Sequence, residues 1–314
     1  MNDSQQPNTI EIRSGYVTTD DNVRLHWKCL GSGIPMICSN GVGVSTFFWK
    51  YIAEYFQNRC AVLLWDYRGH GASDRDLDPH TADMSVPRHA KDLCTVLQDA
   101  FPNYDGQVLL VGHSMGCQVS LEAYRSLQKR VKGIFLLLGS AGKTLSTFGN
   151  FEHSPLVFRA IRRLAFKIGP KVNRITHPLL LSPIAWPFTV RFSLVDPLYT
   201  TYEDFHPYLE HLATIDMLLF MQNILKLDEH DAWDLLPNVH CPTLVFAAEK
   251  DTFTPISCAQ KMTNLLSTGE LIVLADGSHA ALIEQPEIIN YNMNRFCKKH
   301  GLIKRSVYAE SKKH

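Results

Sequence analysis

The chain has no excess of either charge: Lys and Arg total 31, and so do Asp and Glu, over 314 residues. That balance argues against nucleic acid as the main partner, because phosphate binding draws on a basic surplus. Long hydrophobic runs are also missing. The strongest, Ile134 to Leu138 and Met217 to Met221, fall far short of the ~20 residues of a membrane span, so no transmembrane segment is expected. Met1 to Asn8 is polar and has no basic cluster leading into an apolar run, so an ordinary signal peptide is not expected. The cysteines Cys29, Cys38, Cys60, Cys94, Cys117, Cys241, Cys258 and Cys297 never form a C-x-x-C pair. The pattern therefore offers neither a zinc knuckle nor a thioredoxin-type dithiol. Reduced thiols serving as small core residues, and a cytoplasmic location, are the expectation. There is no internal repeat and no low-complexity tract. The 45% hydrophobic content is too high for a disordered chain.

What is present is an alternation. Tyr16 to Thr19 and Val23 to Leu30 read as two strands around the turn signal Asp20-Asp21-Asn22. In the second, Val23, Leu25, Trp27 and Cys29 alternate with Arg24, His26 and Lys28, as in an antiparallel edge with one wet face. Pro35 to Cys38, Cys60 to Trp65, Val108 to Val111, Ile134 to Leu138, Thr243 to Ala248 and Leu271 to Leu274 are apolar runs of strand length, suited to parallel strands covered on both faces. Between them Phe47 to Phe56, Val86 to Ala100, Met115 to Leu127, Ser257 to Leu266 and Glu287 to Lys299 read as helices. The result is an α/β fold with a mostly parallel sheet built from βαβ units.

The alternation stops near Lys143 and resumes near Pro237. The chain thus divides into a first core part (1–142), an insertion (143–236) and a second core part (237–314). The insertion has helix-length apolar patterns interrupted by Pro155, Pro170, Pro178, Pro183, Pro187, Pro197 and Pro207. Lys143 to Val195 holds eight basic residues and one acidic; Asp196 to Leu236 holds nine acidic and one basic. The two halves face each other or are solvated, or the basic one serves a separate purpose. Over Leu156 to Ile168, Arg159, Arg162, Arg163 and Lys167 share one helical face, and Val157, Ile161, Leu164 and Ile168 the other. Such a helix can rest on an anionic membrane surface; packing of its apolar side onto the core is the commoner use.

Gly112-His113-Ser114-Met115-Gly116 is a G-x-S-x-G match between a strand-like and a helix-like segment, the setting a nucleophile elbow requires. The two glycines remove side chains that would collide at a sharp turn, which leaves the Ser114 hydroxyl exposed at the sheet end. A serine needs a base to take its proton. Among fourteen histidines, His279 follows the final strand, in the late position expected of the base. His113 adjoins Ser114 but cannot face its hydroxyl, so it packs behind the turn at the edge of the substrate site; His70 could line the pocket. The base needs a carboxylate to hold its tautomer. Asp251, after the Thr243 to Ala248 strand, is the first choice, with Glu249 and Asp276 as rivals. Oxyanion donors are expected from the Met115 N–H at the helix start and the Val42 N–H in Ser39-Asn40-Gly41-Val42-Gly43-Val44. Asn40 and Gly41 are expected at the substrate.

With these residues placed, the chain resembles an α/β-hydrolase-fold protein of the lipase/esterase-like superfamily, from about Gly15 to Phe296. The likeness rests on Asn40-Gly41-Val42-Gly43, on Asp66-Tyr67-Arg68-Gly69-His70-Gly71-Ala72-Ser73, on the Ser114 elbow, on Asp251 with His279, and on the Gly277 to Pro286 region. The resemblance implies structural roles for Asp66 and Arg68, and a helical cap formed by the insertion. Two departures stand out: Asn40-Gly41 where many relatives carry His-Gly, and Ser278 between Gly277 and His279.

The expected reaction is acyl transfer to water through a Ser114 acyl-enzyme, without metal or organic cofactor. The expected substrate is a small-molecule carboxylic ester with a lipophilic acyl chain of medium or greater length, which the apolar segments Phe188 to Leu194 and Met217 to Leu225 would suit. Other members of the fold cleave C–C bonds or thioesters or transfer acyl groups, and a slow-turnover ligand receptor or a binding scaffold is the reading from another class.

Overall fold

A computed structural model of the chain describes residues 10–147 and 153–303. Its centre is an eight-stranded sheet: β1 (Ile12–Thr18), β2 (Arg24–Leu30), β3 (Ile34–Ser39), β4 (Cys60–Trp65), β5 (Val108–His113), β6 (Val131–Leu137), β7 (Thr243–Ala248) and β8 (Gly269–Leu274). The spatial order is β1-β2-β4-β3-β5-β6-β7-β8. The β1/β2 and β2/β4 pairs are antiparallel and all later pairs parallel. The central strands β4, β5 and β7 are buried at every position, which is why they read as unbroken apolar runs. Strand β2 alternates buried and exposed positions, as its neighbourhood at the antiparallel edge requires.

Helices α1 (Lys50–Phe56), α2 (Val86–Ala100), α3 (Met115–Leu127), α9 (Ile256–Leu265), the short α10 (Ala281–Glu284) and α11 (Pro286–Lys299) belong to the core. The expected helix from Phe47 begins instead as a 3-10 turn over Thr46–Trp49. Ser85 caps α2 by accepting the Arg88 N–H. Between β6 and β7 lies a helical insertion of α4 (Ser154–Ile168), α5 (Lys171–Leu180), α6 (Ala185–Arg191), α7 (Tyr202–Leu212) and α8 (Met217–Glu229). Its prolines punctuate less than expected: Pro155 lies in the first turn of α4, where no N–H is needed, and Pro178 and Pro207 lie inside helices.

The loop after β4 is organised by charge. Asp66 accepts hydrogen bonds from the Ser45 hydroxyl and the Thr46 and Ala72 N–H groups. Arg68, 1% exposed, donates to both oxygens of Asp92 and both of Asp21. Asp92 also receives Arg88. Such a buried network is costly to break because the remaining charge is left without a partner. Asp92→Ala should therefore lower stability by about 3–5 kcal/mol in urea denaturation; an effect within experimental error would mean that Arg68 is neutralised by Asp21 alone.

Candidate active site

Strands β3, β5, β7 and β8 run parallel, so their C-terminal ends share one edge of the sheet, where open α/β sheets place ligands. Ser114 follows β5 at that edge with φ 54° and ψ −119°, a conformation rarely adopted by a residue with a side chain. Its backbone is fixed on both sides: its N–H donates to Leu137 O, and its carbonyl accepts from Cys117 N–H. A Cβ on Gly112 would lie 2.2 Å from Gly116 O, and one on Gly116 2.0 Å from Ser39 O. Only glycine permits these approaches.

His279 Nε2 stands 3.0 Å from Ser114 Oγ and its Nδ1 2.8 Å from Asp251 Oδ2. In the tautomer with hydrogen on Nδ1, His279 donates to Asp251 and accepts from the Ser114 hydroxyl. Asp251 is buried and also accepts the Phe253 and Thr254 N–H groups and the Thr254 hydroxyl. Burial would raise its pKa, but the His279 interactions and the Thr254 hydrogen bonds outweigh it and hold the carboxyl below its ordinary value. The rivals are engaged elsewhere. Asp276 is exposed and pairs with Lys250 at 3.1 Å, and Glu249 accepts the Asp276 N–H.

The loop after β3 is pinned at three points. Asn40 donates to Trp65 O and accepts from the Trp49 indole N–H. Gly43 N–H donates to His70 Nε2, whose Nδ1–H donates to Arg68 O. Ser45 is tied to Asp66. Between them the chain crosses the elbow closely: a Cβ on Gly41 would lie 3.1 Å from Ser114 Cβ. Met115 is the first residue of α3, and its N–H has no acceptor within the helix. Val42 lines the same cavity as Ser114, and Met115 directly follows Ser114 at the helix start.

A cavity of about 40 Å³ opens on Ser114 and His279, lined by Gly41, Val42, His113 and Leu194 and by the aromatic walls Phe48, Phe205 and Tyr208. Gly41 and His113 border it. Asn40 does not: both ends of its amide are spent on Trp65 and Trp49, with the side chain fully buried behind the loop. His70 supports the loop rather than lining the cavity. His113 donates from Nε2 to the His279 carbonyl, so it steadies the histidine loop from behind.

Several neighbours had no sequence signal of this kind. The Phe253 ring stacks on His279 at 4.9 Å. Ser278, the extra residue of the histidine loop, donates its N–H to Glu284, with its hydroxyl within reach of Glu284 and Leu194 O, while His279 N–H donates to Ser193 O. The segment after α6 is thereby bonded directly to the histidine loop. Only Thr254, three residues after Asp251, follows a short-range pattern that could have been read in advance. Among the described residues no three His, Cys, Asp or Glu side chains are grouped to hold a metal ion.

Burial holds four histidines neutral. His70, His89 and His211 are pushed down to about 4 and His113 to about 3, desolvation being the main cause in each. In the unfolded chain they protonate near pH 6.5, so the unfolded state binds more protons below that value. Stability should be full above about pH 7 and fall as pH drops toward 4. Between pH 7.5 and 5.5 the expected loss is about 5 kcal/mol, read from urea midpoints; a flat profile would show that these rings charge in place.

The chain's relatives agree with this architecture. It is 25% identical over 274 residues to a protein of Azorhizobium caulinodans named as the carbamate hydrolase RutD, covering 87% of this chain and 94% of that one. Among solved structures it is similar to a hydrolase from Pseudomonas aeruginosa (TM-score 0.72, 18% identity, 90% and 97% of the two chains). It is also similar to a thermophilic esterase from Thermogutta terrifontis (TM-score 0.69, 22% identity, 92% and 99%). Residues 36–290 match the alpha/beta hydrolase family, and the chain belongs to that family.

Proposed function

We propose that this chain is a serine hydrolase that cleaves carboxylic esters through an acyl-enzyme on Ser114. The observation that carries the reading is the continuous relay from Ser114 Oγ to His279 at 3.0 Å and from His279 to Asp251 at 2.8 Å, on a strained elbow at the sheet edge. His279 takes the hydroxyl proton as Ser114 attacks the ester carbonyl, and the Met115 and Val42 N–H groups receive the oxyanion. The imidazolium, stabilised by Asp251, returns the proton to the leaving alcohol. Water then enters and gives a proton to His279 as its oxygen attacks the acyl carbonyl; the bond to Ser114 Oγ breaks, His279 returns the proton to that oxygen, and the acid leaves. Hydrolysis of the acyl-enzyme regenerates Ser114.

The walls Phe48, Phe205 and Leu194 favour an apolar acyl group. At about 40 Å³ the cavity is far below the ~300–1,000 Å³ of ordinary ligand pockets. A short acyl group is the direct fit, and a longer one needs the insertion to act as a cap that shifts. A carbamate is the second reading, since the relatives over most of the chain bear that name; it places the same carbonyl chemistry at Ser114. Thioester or C–C bond cleavage, acyl transfer and slow turnover at a receptor are the remaining alternatives. We also place the protein in the cytoplasm, a reading supported by eight cysteines that are all free thiols.

The test is hydrolysis of p-nitrophenyl esters from acetate to palmitate, beside a p-nitrophenyl carbamate. Ser114→Ala should lower kcat by roughly 10⁶-fold and Asp251→Asn by ~10⁴-fold, by analogy with other serine triads. A loss below about tenfold in Ser114→Ala would refute the nucleophile. Leu194→Ala, which opens the cavity wall, should move the optimum toward longer acyl chains; an unmoved optimum would separate the acyl group from this cavity.

A further inference from the structure

The basic half of the insertion packs the opposite way from the commoner expectation. Helix α4 turns Ser154, Phe158 and Ala165 inward, with Arg162 and Phe166 half-buried beside them. Arg162 is occupied there, over the Phe166 ring and donating to Gln222. The apolar strip Val157, Ile161, Leu164 and Ile168 faces solvent, and Leu164 is 60% exposed. Alongside it runs a second exposed strip of Arg159, Arg163 and Lys167. The pattern continues through α5 and α6, where Ile175, Leu179, Ile184 and Phe188 are exposed next to Lys171, Arg174 and Arg191. Of 22 exposed large hydrophobic residues among the described ones, 12 lie between Leu156 and Tyr199. That concentration exceeds the scattered exposure of ordinary surfaces.

Charge identifies what covers this surface. Residues 153–195 contain seven Lys or Arg and no Asp or Glu. None of the seven is in an ion pair with a described carboxylate; the acidic half of the insertion pairs with Lys250, Arg125 and its own residues instead. The two halves do face each other, through Arg162 with Gln222 and Asn173 with Asp216, but among the described residues no salt bridge joins them. A second copy presenting the same face would bring basic residues against basic residues. Residues 304–314 carry four Lys or Arg and one Glu, the wrong sign to cover it. An anionic lipid surface matches both strips: headgroups meet the cations and the acyl boundary meets the apolar side chains.

We propose that α4, α5 and α6 form a docking face that seats the protein peripherally on an anionic bilayer. No helix among the described residues is long and apolar enough to cross one, so contact is interfacial. The face leads to the cavity. Phe188 packs on Phe192 at 4.5 Å, Thr252 donates to Phe192 O, and Ser193 and Leu194 bond to the histidine loop. The proposal does not depend on the reaction assigned to Ser114.

Vesicle co-sedimentation of the full chain tests it, with phosphatidylcholine alone and with about 30 mol % phosphatidylglycerol. Two variants accompany the wild type: Leu164→Asp/Ile175→Asp/Ile184→Asp and Arg159→Glu/Arg163→Glu/Lys167→Glu. All six positions are exposed, so Tm should hold; Ile184→Asp alone, at the most exposed of the three apolar sites (68%), serves if the triple variant melts early. The wild type should bind the anionic vesicles at least about tenfold more tightly than neutral ones, and about 0.5 M salt should weaken that binding. Each variant should lose about tenfold or more. Equal binding to both vesicle types, or variants that bind like the wild type, would overturn the proposal. So would a dimer in light scattering that the apolar variant dissolves while the wild type ignores vesicles.

Discussion

The backbone of Ser114, held at φ 54° and ψ −119°, depends on two glycines whose missing side chains let β5, α3 and the end of β3 approach within backbone contact. Such a conformation costs on the order of 1–3 kcal/mol and persists only where its surroundings over-determine it. Here the Leu137 and Cys117 hydrogen bonds and the buried strands on either side do so. The strain lifts one hydroxyl out of the sheet end. Because β3, β7 and β8 run parallel to β5, the loops carrying Val42, Asp251 and His279 emerge beside it.

Around that hydroxyl the supporting groups are buried polar pairs. Asn40, His70 and Asp66 hold the loop that carries Val42. Asp251 is satisfied four times over, by His279 and by the Phe253 and Thr254 groups. Glu284 accepts from Ser278 and from Asp196 N–H, which joins the histidine loop to the insertion. Fully satisfied networks of this kind fix side-chain position, whereas a partly satisfied one would be destabilising. The geometry at Ser114 is therefore a property of the sheet edge and the insertion together.

The sequence was informative where a rule is local. Buried strands read as apolar runs, and β4 and β7 coincide with their expected spans. Edge strands were less legible: β8 starts at Gly269 and is only partly buried along most of its length, and β1 begins at Ile12 among exposed positions. Ser114, Asp251 and His279 were legible from order and strand context. Asn40 was not, because its partners Trp65 and Trp49 are reached across the fold and a polar residue at a strand end resembles a ligand donor. The orientation of α4 was likewise hidden. A helix with two candidate apolar sides does not reveal which one its neighbours take, and α8 takes the side carrying Ala165 and Phe166.

The central claim is that Ser114 is an activated nucleophile. Its most direct measurement is the intact mass of the protein after treatment with a fluorophosphonate, followed by mapping of the modified peptide. The account predicts a single adduct per chain, on Ser114, absent from Ser114→Ala. An unmodified protein, or an adduct on any other residue, would contradict it.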